Sequence, residues 1–141
     1  MMQADMYQAN ILDHYKNPHN KGAVARPDIK HVGNNPLCGD ELEITMKLQG
    51  EKIKDVKFKG KGCAISQAVA SMLTDSIKGR PIEEVAALEG GDVIKLLGIP
   101  ISATRMRCAM LALVTIKDGI GAHEGNRIVK TTTEDVPGEG A

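Results

Sequence analysis

The residues of this chain best suited to chemistry are its three cysteines, Cys38, Cys63 and Cys108. They stand in Asn35-Pro36-Leu37-Cys38-Gly39-Asp40, Gly60-Lys61-Gly62-Cys63-Ala64-Ile65-Ser66 and Arg105-Met106-Arg107-Cys108-Ala109. If folding brings the thiols together with Asp40 beside them, they make a site of three sulfurs and one carboxylate. Such an incomplete thiolate cage suits something held briefly and then released. The cysteine count is odd and none lies in a Cys-x-x-Cys pair, so a disulfide framework is not expected. Metal binding, sulfur chemistry and inert burial remain open at this point.

The settings of the cysteines differ. Cys63 falls between a strand and a helix, where unpaired N–H groups and the positive end of the helix dipole favour negative charge on sulfur. Gly60 and Gly62 allow close backbone approach there. Gly39 lets the thiol of Cys38 and the carboxylate of Asp40 face one point. Asp40 itself reads as an oxygen ligand, a proton acceptor or a hydrogen-bonded strand-start residue. Cys108 sits on a helix, off the stripe formed by Met106, Ala109, Met110, Leu113 and Val114. Arg105 and Arg107 flank it. Of the four histidines only His31 is near a cysteine in sequence; solvated roles are expected for the others.

The elements that must position these residues read as follows. Residues 4–16 predict an amphipathic helix, with Tyr7, Ile11 and Tyr15 on one face and Asn17-Pro18 stopping it. Residues 17–30 read as a loop. Leu42, Ile44, Met46 and Leu48 alternate with polar residues, and Val56 and Phe58 do so after Gln49-Gly50-Glu51, which predicts a hairpin. Residues 28–34 add a candidate third strand. A helix follows Cys63, with Ile65, Ala68, Val69, Met72 and Leu73 at helical spacing. Short helices are expected at 81–88 and 91–97, and a long one at about 102–119, ended by Gly119 and Gly121. Strands first and helices later predict an α+β fold: a small antiparallel sheet of about three strands, covered on one face by helices, with an N-terminal helix.

Composition narrows the function classes. Lysine plus arginine and aspartate plus glutamate both number 18, so the net charge gives no support to nucleic-acid or membrane-surface binding. The longest apolar run, Ala109 to Val114, is too short to span a bilayer. The first residues lack the pattern of a secretory signal, and a cytoplasmic protein is expected. The length predicts one domain, residues 1–129, with a mobile tail at 130–141.

Together the motifs resemble the U-type iron–sulfur cluster assembly family: IscU, the N-terminal domain of NifU, and SufU. The three cysteine segments carry the resemblance, with Asp13-His14-Tyr15-Lys16-Asn17-Pro18-His19-Asn20-Lys21-Gly22 as its N-terminal signature. The resemblance implies a scaffold without turnover of its own. It would take sulfur from a cysteine desulfurase, build a 2Fe–2S cluster and pass it to apo iron–sulfur proteins. By it, Cys38, Cys63 and Cys108 are ligands, and Asp40 is the position that governs release. Two copies sharing one cluster would make oligomeric state follow loading. The alternative within the resemblance is a zinc-dependent persulfide sulfurtransferase of SufU type, since three thiolates and a carboxylate also suit zinc. Arg107 stands where IscU has histidine, as in SufU, whereas the 45-residue interval from Cys63 to Cys108 is IscU-like. Ile101-Ser102-Ala103-Thr104-Arg105 replaces the segment that a DnaK-type chaperone grips in IscU, which argues against that partner.

Overall fold

The alternating segment around Leu42 and Met46 becomes the central strand of a three-stranded antiparallel sheet. The computed structural model describes residues 2–35 and 39–128; Cys38 and the 130–141 tail lie outside them. The elements are α1 (Met2–Lys16), β1 (Ile29–Asn35), β2 (Asp40–Gln49), β3 (Lys52–Lys61), α2 (Ala64–Ile77), α3 (Ile82–Ala86), α4 (Gly90–Leu97) and α5 (Ala103–Ile128). The strand order is β1-β2-β3. The α+β class is therefore as expected, and the candidate third strand is β1. Leu42, Ile44 and Met46 are fully buried, as are Val56 and Phe58 on β3. Ile53 is buried too, although it stands three positions before Val56, out of step with a two-residue alternation. A bulge explains this: Lys47 pairs Asp55 while Leu48 pairs Ile53, which leaves Lys54 as the extra residue.

Helix α5 departs from its expected end. It continues through Gly119 and Gly121 to Ile128. Gly119 is a contact residue rather than a terminator: a Cβ there would lie 3.0 Å from His31 Cβ and 3.1 Å from Ile29 Cγ2. Gly33 plays the same part on the strand, since a Cβ would overlap the Thr115 hydroxyl. These close approaches run antiparallel along β1 and α5, and they carry the N-terminal half of α5 towards the end of β1 at Asn35. The buried face of α5 is also wider than the stripe read from the sequence. It takes in Cys108, Ala109, Leu111, Ala112, Leu113, Thr115, Ile116 and Ile120, while Met106, Met110 and Val114 are half-buried. The cause is that α5 packs on β1 and β2 and also meets α2, α3 and α4. Cys108 is thus on a buried face, contrary to its reading as off-stripe.

The N-terminal signature is a clasp. Ile11 is buried as expected, but its neighbour on the inner face is His14, and Tyr15 is exposed. The Nδ1 atom of His14 is 2.7 Å from Ser71 Oγ on α2, which also accepts the His19 N–H at 2.8 Å. Asn20 Nδ2 donates to Thr74 Oγ1 at 2.9 Å and to Asp75 Oδ1 at 3.0 Å, and His19 pairs with Asp75. Next along, Gly22 N–H donates to Phe58 O and Phe58 N–H to Asn20 O, so the loop covers the outer edge of β3. His14 and His19 are therefore not simply solvated.

This clasp makes stability depend on pH. His14 is held below its ordinary 6.5, first by burial and then by the neighbouring His19, against the pull of Asp75 and Asp13. The unfolded chain therefore takes up this proton at a higher pH than the folded one. The stability is complete above about pH 6.5 and is lost as pH falls through the folded value, with a slope no steeper than about 1.4 kcal/mol per pH unit. Burial alone would raise Asp75, but the hydrogen bonds from His19 and Asn20 outweigh it and hold the carboxyl below 3.8, which adds a second loss in stronger acid. Urea midpoints of the metal-free protein should fall between about pH 7.5 and pH 5.5, and His14→Gln should flatten that fall. An unchanged slope in the variant would assign the effect elsewhere.

Candidate metal centre

Asp40, Cys63 and Cys108 lie at one end of the sheet, where β1 ends, β2 begins and β3 hands over to α2. Asp40 is the first residue of β2 and is paired with Asn35, the last of β1. The turn between them is closed by Gly39 N–H donating to Asn35 O at 2.8 Å. At the neighbouring register position Glu41 faces Lys61, so β3 delivers Gly62 and Cys63 beside Asp40. Cys63 is the N-cap of α2, with extended backbone at φ −72° and ψ 171°. Its carbonyl accepts Gln67 N–H and the Ser66 hydroxyl, both at 3.1 Å.

Asp40 then binds the segment it faces. Its Oδ1 accepts the Cys63 N–H at 3.1 Å, and its Oδ2 lies 3.9 Å from Cys63 Sγ. The carboxylate is 2% exposed. Cys108, carried in by α5, is 1% exposed, and Asn35 Nδ2 donates towards its sulfur at 3.9 Å. One ligand atom from each of Asp40, Cys63 and Cys108 lies within 4.8 Å of the others. Two sulfurs separated by 45 residues of sequence thus meet beside one carboxylate. Cys38, the remaining expected member, lies outside the described residues; in sequence it immediately precedes Gly39.

The glycines before Cys63 make this approach possible. Gly60 has φ +140°, and a Cβ there would overlap the Glu41 carbonyl. At Gly62 a Cβ would meet the Ser66 hydroxyl and stand 2.9 Å from Asp40 Oδ1 and 3.1 Å from Asp40 Cγ. Gly62→Ala is accordingly expected to displace the carboxylate, at about 1–3 kcal/mol in stability from overpacking. Metal affinity should fall with it, and Ser66→Ala in the same chain should restore part of the loss. A double-mutant cycle on stability and metal affinity checks this coupling. Additive effects would place Ser66 outside the contact.

Arg105 and Arg107 are exposed at the start of α5. The histidines lie elsewhere: His14 and His19 in the clasp, His31 against Gly119, and His123 far along α5 from Cys108. Sequence reasoning missed Asn35 and Ser66. Their signal was present, since Asn35 opens the first cysteine motif and Ser66 closes the second. It also missed Gln67, one turn beyond Cys63, whose Nε2 is a buried donor without a hydrogen-bond partner.

The donor set fits a thiophilic metal. Soft sulfur suits zinc and iron, and a carboxylate is the harder, weaker member. A tetrahedral zinc site with Zn–S near 2.3 Å has ligand atoms about 3.8 Å apart, and the 4.8 Å spread needs only small side-chain movements to close on one ion.

A three-stranded antiparallel sheet, a cysteine capping the helix that follows it, and a second buried cysteine meeting Asp40 at the sheet end define a small α+β protein with two thiols and a carboxylate gathered at one point. The chain belongs to the NifU-like N-terminal domain family, whose model matches residues 6–130. It is 39% identical over 137 residues to the zinc-dependent sulfurtransferase SufU of Bacillus subtilis, covering 85% of this chain and 92% of that one. It is 34% identical over 132 residues to the iron–sulfur cluster assembly scaffold protein IscU of Streptococcus pyogenes, covering 82% of each. Among solved structures it is similar to a SufU of Fervidobacterium islandicum described as a scaffold for the SUF system, with TM-score 0.71, 26% identity, and coverage of 79% of this chain and 93% of that one.

Proposed function

We propose that this chain is a scaffold for iron–sulfur cluster assembly, with Cys38, Cys63, Cys108 and Asp40 as the holding residues. The observation that carries the reading is the meeting of Asp40, Cys63 and Cys108 within 4.8 Å in a chain of this family. The cargo is a 2Fe–2S cluster. Cys63, half-buried at the N-cap of α2, is the more accessible of the two described thiols and is the one offered to incoming sulfur. A cysteine desulfurase supplies that sulfur: the Cys63 sulfur attacks the outer sulfur of the donor persulfide, and the donor thiolate leaves. Cys108, covered by α5 packing, holds rather than receives. Asp40 provides the exchangeable position through which apo iron–sulfur proteins take the cargo, because oxygen is the poorest match to iron in this set. Two copies can share a loaded cluster. The setting is cytoplasmic; no helix among the described residues is long and apolar enough to cross a membrane.

A second reading, a zinc-dependent sulfur acceptor, is favoured by two observations. The donor atoms are close enough to converge on a single ion, and the Bacillus subtilis relative is named a zinc-dependent sulfurtransferase. In that reading zinc holds the thiolates, and the same residues accept and surrender sulfur one atom at a time. Analysis of iron, zinc and acid-labile sulfide in protein purified without oxygen decides between them. Iron with matching sulfide and visible bands is the expected result for the scaffold. One zinc per chain, no sulfide, no cluster formed on reconstitution and a stimulated desulfurase would replace it with the second reading.

A further inference from the structure

Asn35 touches both sides of the site. It ends β1, is 5% exposed, and lies opposite Asp40 in the sheet register. Its main-chain oxygen accepts the N–H of Gly39, a residue of the first cysteine motif, at 2.8 Å. Its side-chain amide reaches the other way, with Nδ2 3.9 Å from Cys108 Sγ across 73 residues of sequence. One residue thereby ties the first cysteine segment to the third. The chemistry at this point calls for a donor. Cys108 and Asp40 are both almost fully covered, and a metal-bound set of thiolates with a carboxylate concentrates negative charge away from water. An N–H aimed at sulfur offsets part of that charge and fixes the direction of the sulfur lone pairs. Outer hydrogen bonds of this kind orient ligands and tune the metal they hold.

We propose that Asn35 is a positioning residue for the metal centre: its amide, donating to Cys108 Sγ, orients that sulfur and sets how tightly and with what electronic character it binds. The proposal rests on the metal-binding reading above. The probe is Co2+ added without oxygen to the full reduced chain, in wild type, Cys108→Ser, Asn35→Leu and Asn35→Asp. Leucine removes the amide at similar volume. Aspartate keeps the shape and the acceptor but places an oxygen where the donor was.

Wild type should show thiolate-to-cobalt charge transfer in the near ultraviolet, weakened in Cys108→Ser. Both Asn35 variants should bind Co2+ at least about tenfold more weakly. Their charge-transfer band per bound metal should move to longer wavelength, because a sulfur without its donor gives up electrons more easily. A purely structural asparagine would lower the melting temperature and leave the band of the bound fraction in place, and that result overturns the proposal. So does loss of native circular dichroism in both variants. Absence of thiolate charge transfer in wild type would instead overturn the metal-binding reading, which separates the two failures.

Discussion

Cys108→Ser is expected to lower retained metal and sulfide by more than about a hundredfold, beyond what loss of an outer-shell partner costs. The fold should survive. Serine is close to cysteine in shape, and burying its hydroxyl costs about 1–3 kcal/mol where a partner is imperfect. Cys108 is 1% exposed, so by burial alone it resembles core filler, and this variant separates the two roles. Filler predicts a drop in melting temperature with metal content unchanged. A ligand predicts loss of metal with the circular dichroism spectrum retained, because oxygen is a poor substitute for soft sulfur at iron or zinc. Measuring both quantities on one preparation gives the answer directly.

Asp40→Ala should have effects of opposite sign on the protein and on its cargo. The carboxylate accepts the Cys63 N–H just before α2, and losing that hydrogen bond costs about 1–3 kcal/mol of folding stability. The cluster, however, loses its hardest and most easily displaced neighbour. Its lifetime in anaerobically reconstituted protein should lengthen about tenfold, equivalent to about 1.4 kcal/mol in the release step. Decay of visible absorbance in the presence of a chelator reads this out, with thermal melting run in parallel. Equal or faster decay would mean that Asp40 supports the site and does not provide the point of exit.

Strand β2 was legible because its outer face meets polar loop and solvent. Helix α2 was legible only in part, by its apolar spacing over Ile65 to Leu73, since residues 66–74 are all buried. Reading failed where burial comes from several sides. Helix α5 is packed by the sheet and by three helices, so its periodicity blurs, Cys108 looked off-stripe, and Gly119 looked like a stop. A glycine used for contact with Ile29 and His31 has the same letter as one used for termination; only the partner strand distinguishes them. The polar face of α2 was similarly opaque, since Ser71 and Thr74 are buried against His14 and Asn20, more than fifty residues away in sequence. At the candidate site, the motifs pointed to Asp40, Cys63 and Cys108, and the fold brings a ligand atom of each within 4.8 Å of the others. Asn35 was missed because its role depends on a sulfur brought in by α5.

X-ray absorption at the edge of the metal bound to anaerobically purified wild-type protein tests the central claim most directly. The account predicts a first shell dominated by sulfur at about 2.3 Å with a minor oxygen contribution, and loss of that shell in Cys63→Ser and Cys108→Ser. A shell of oxygen and nitrogen alone, or a sulfur shell indifferent to both substitutions, would contradict it.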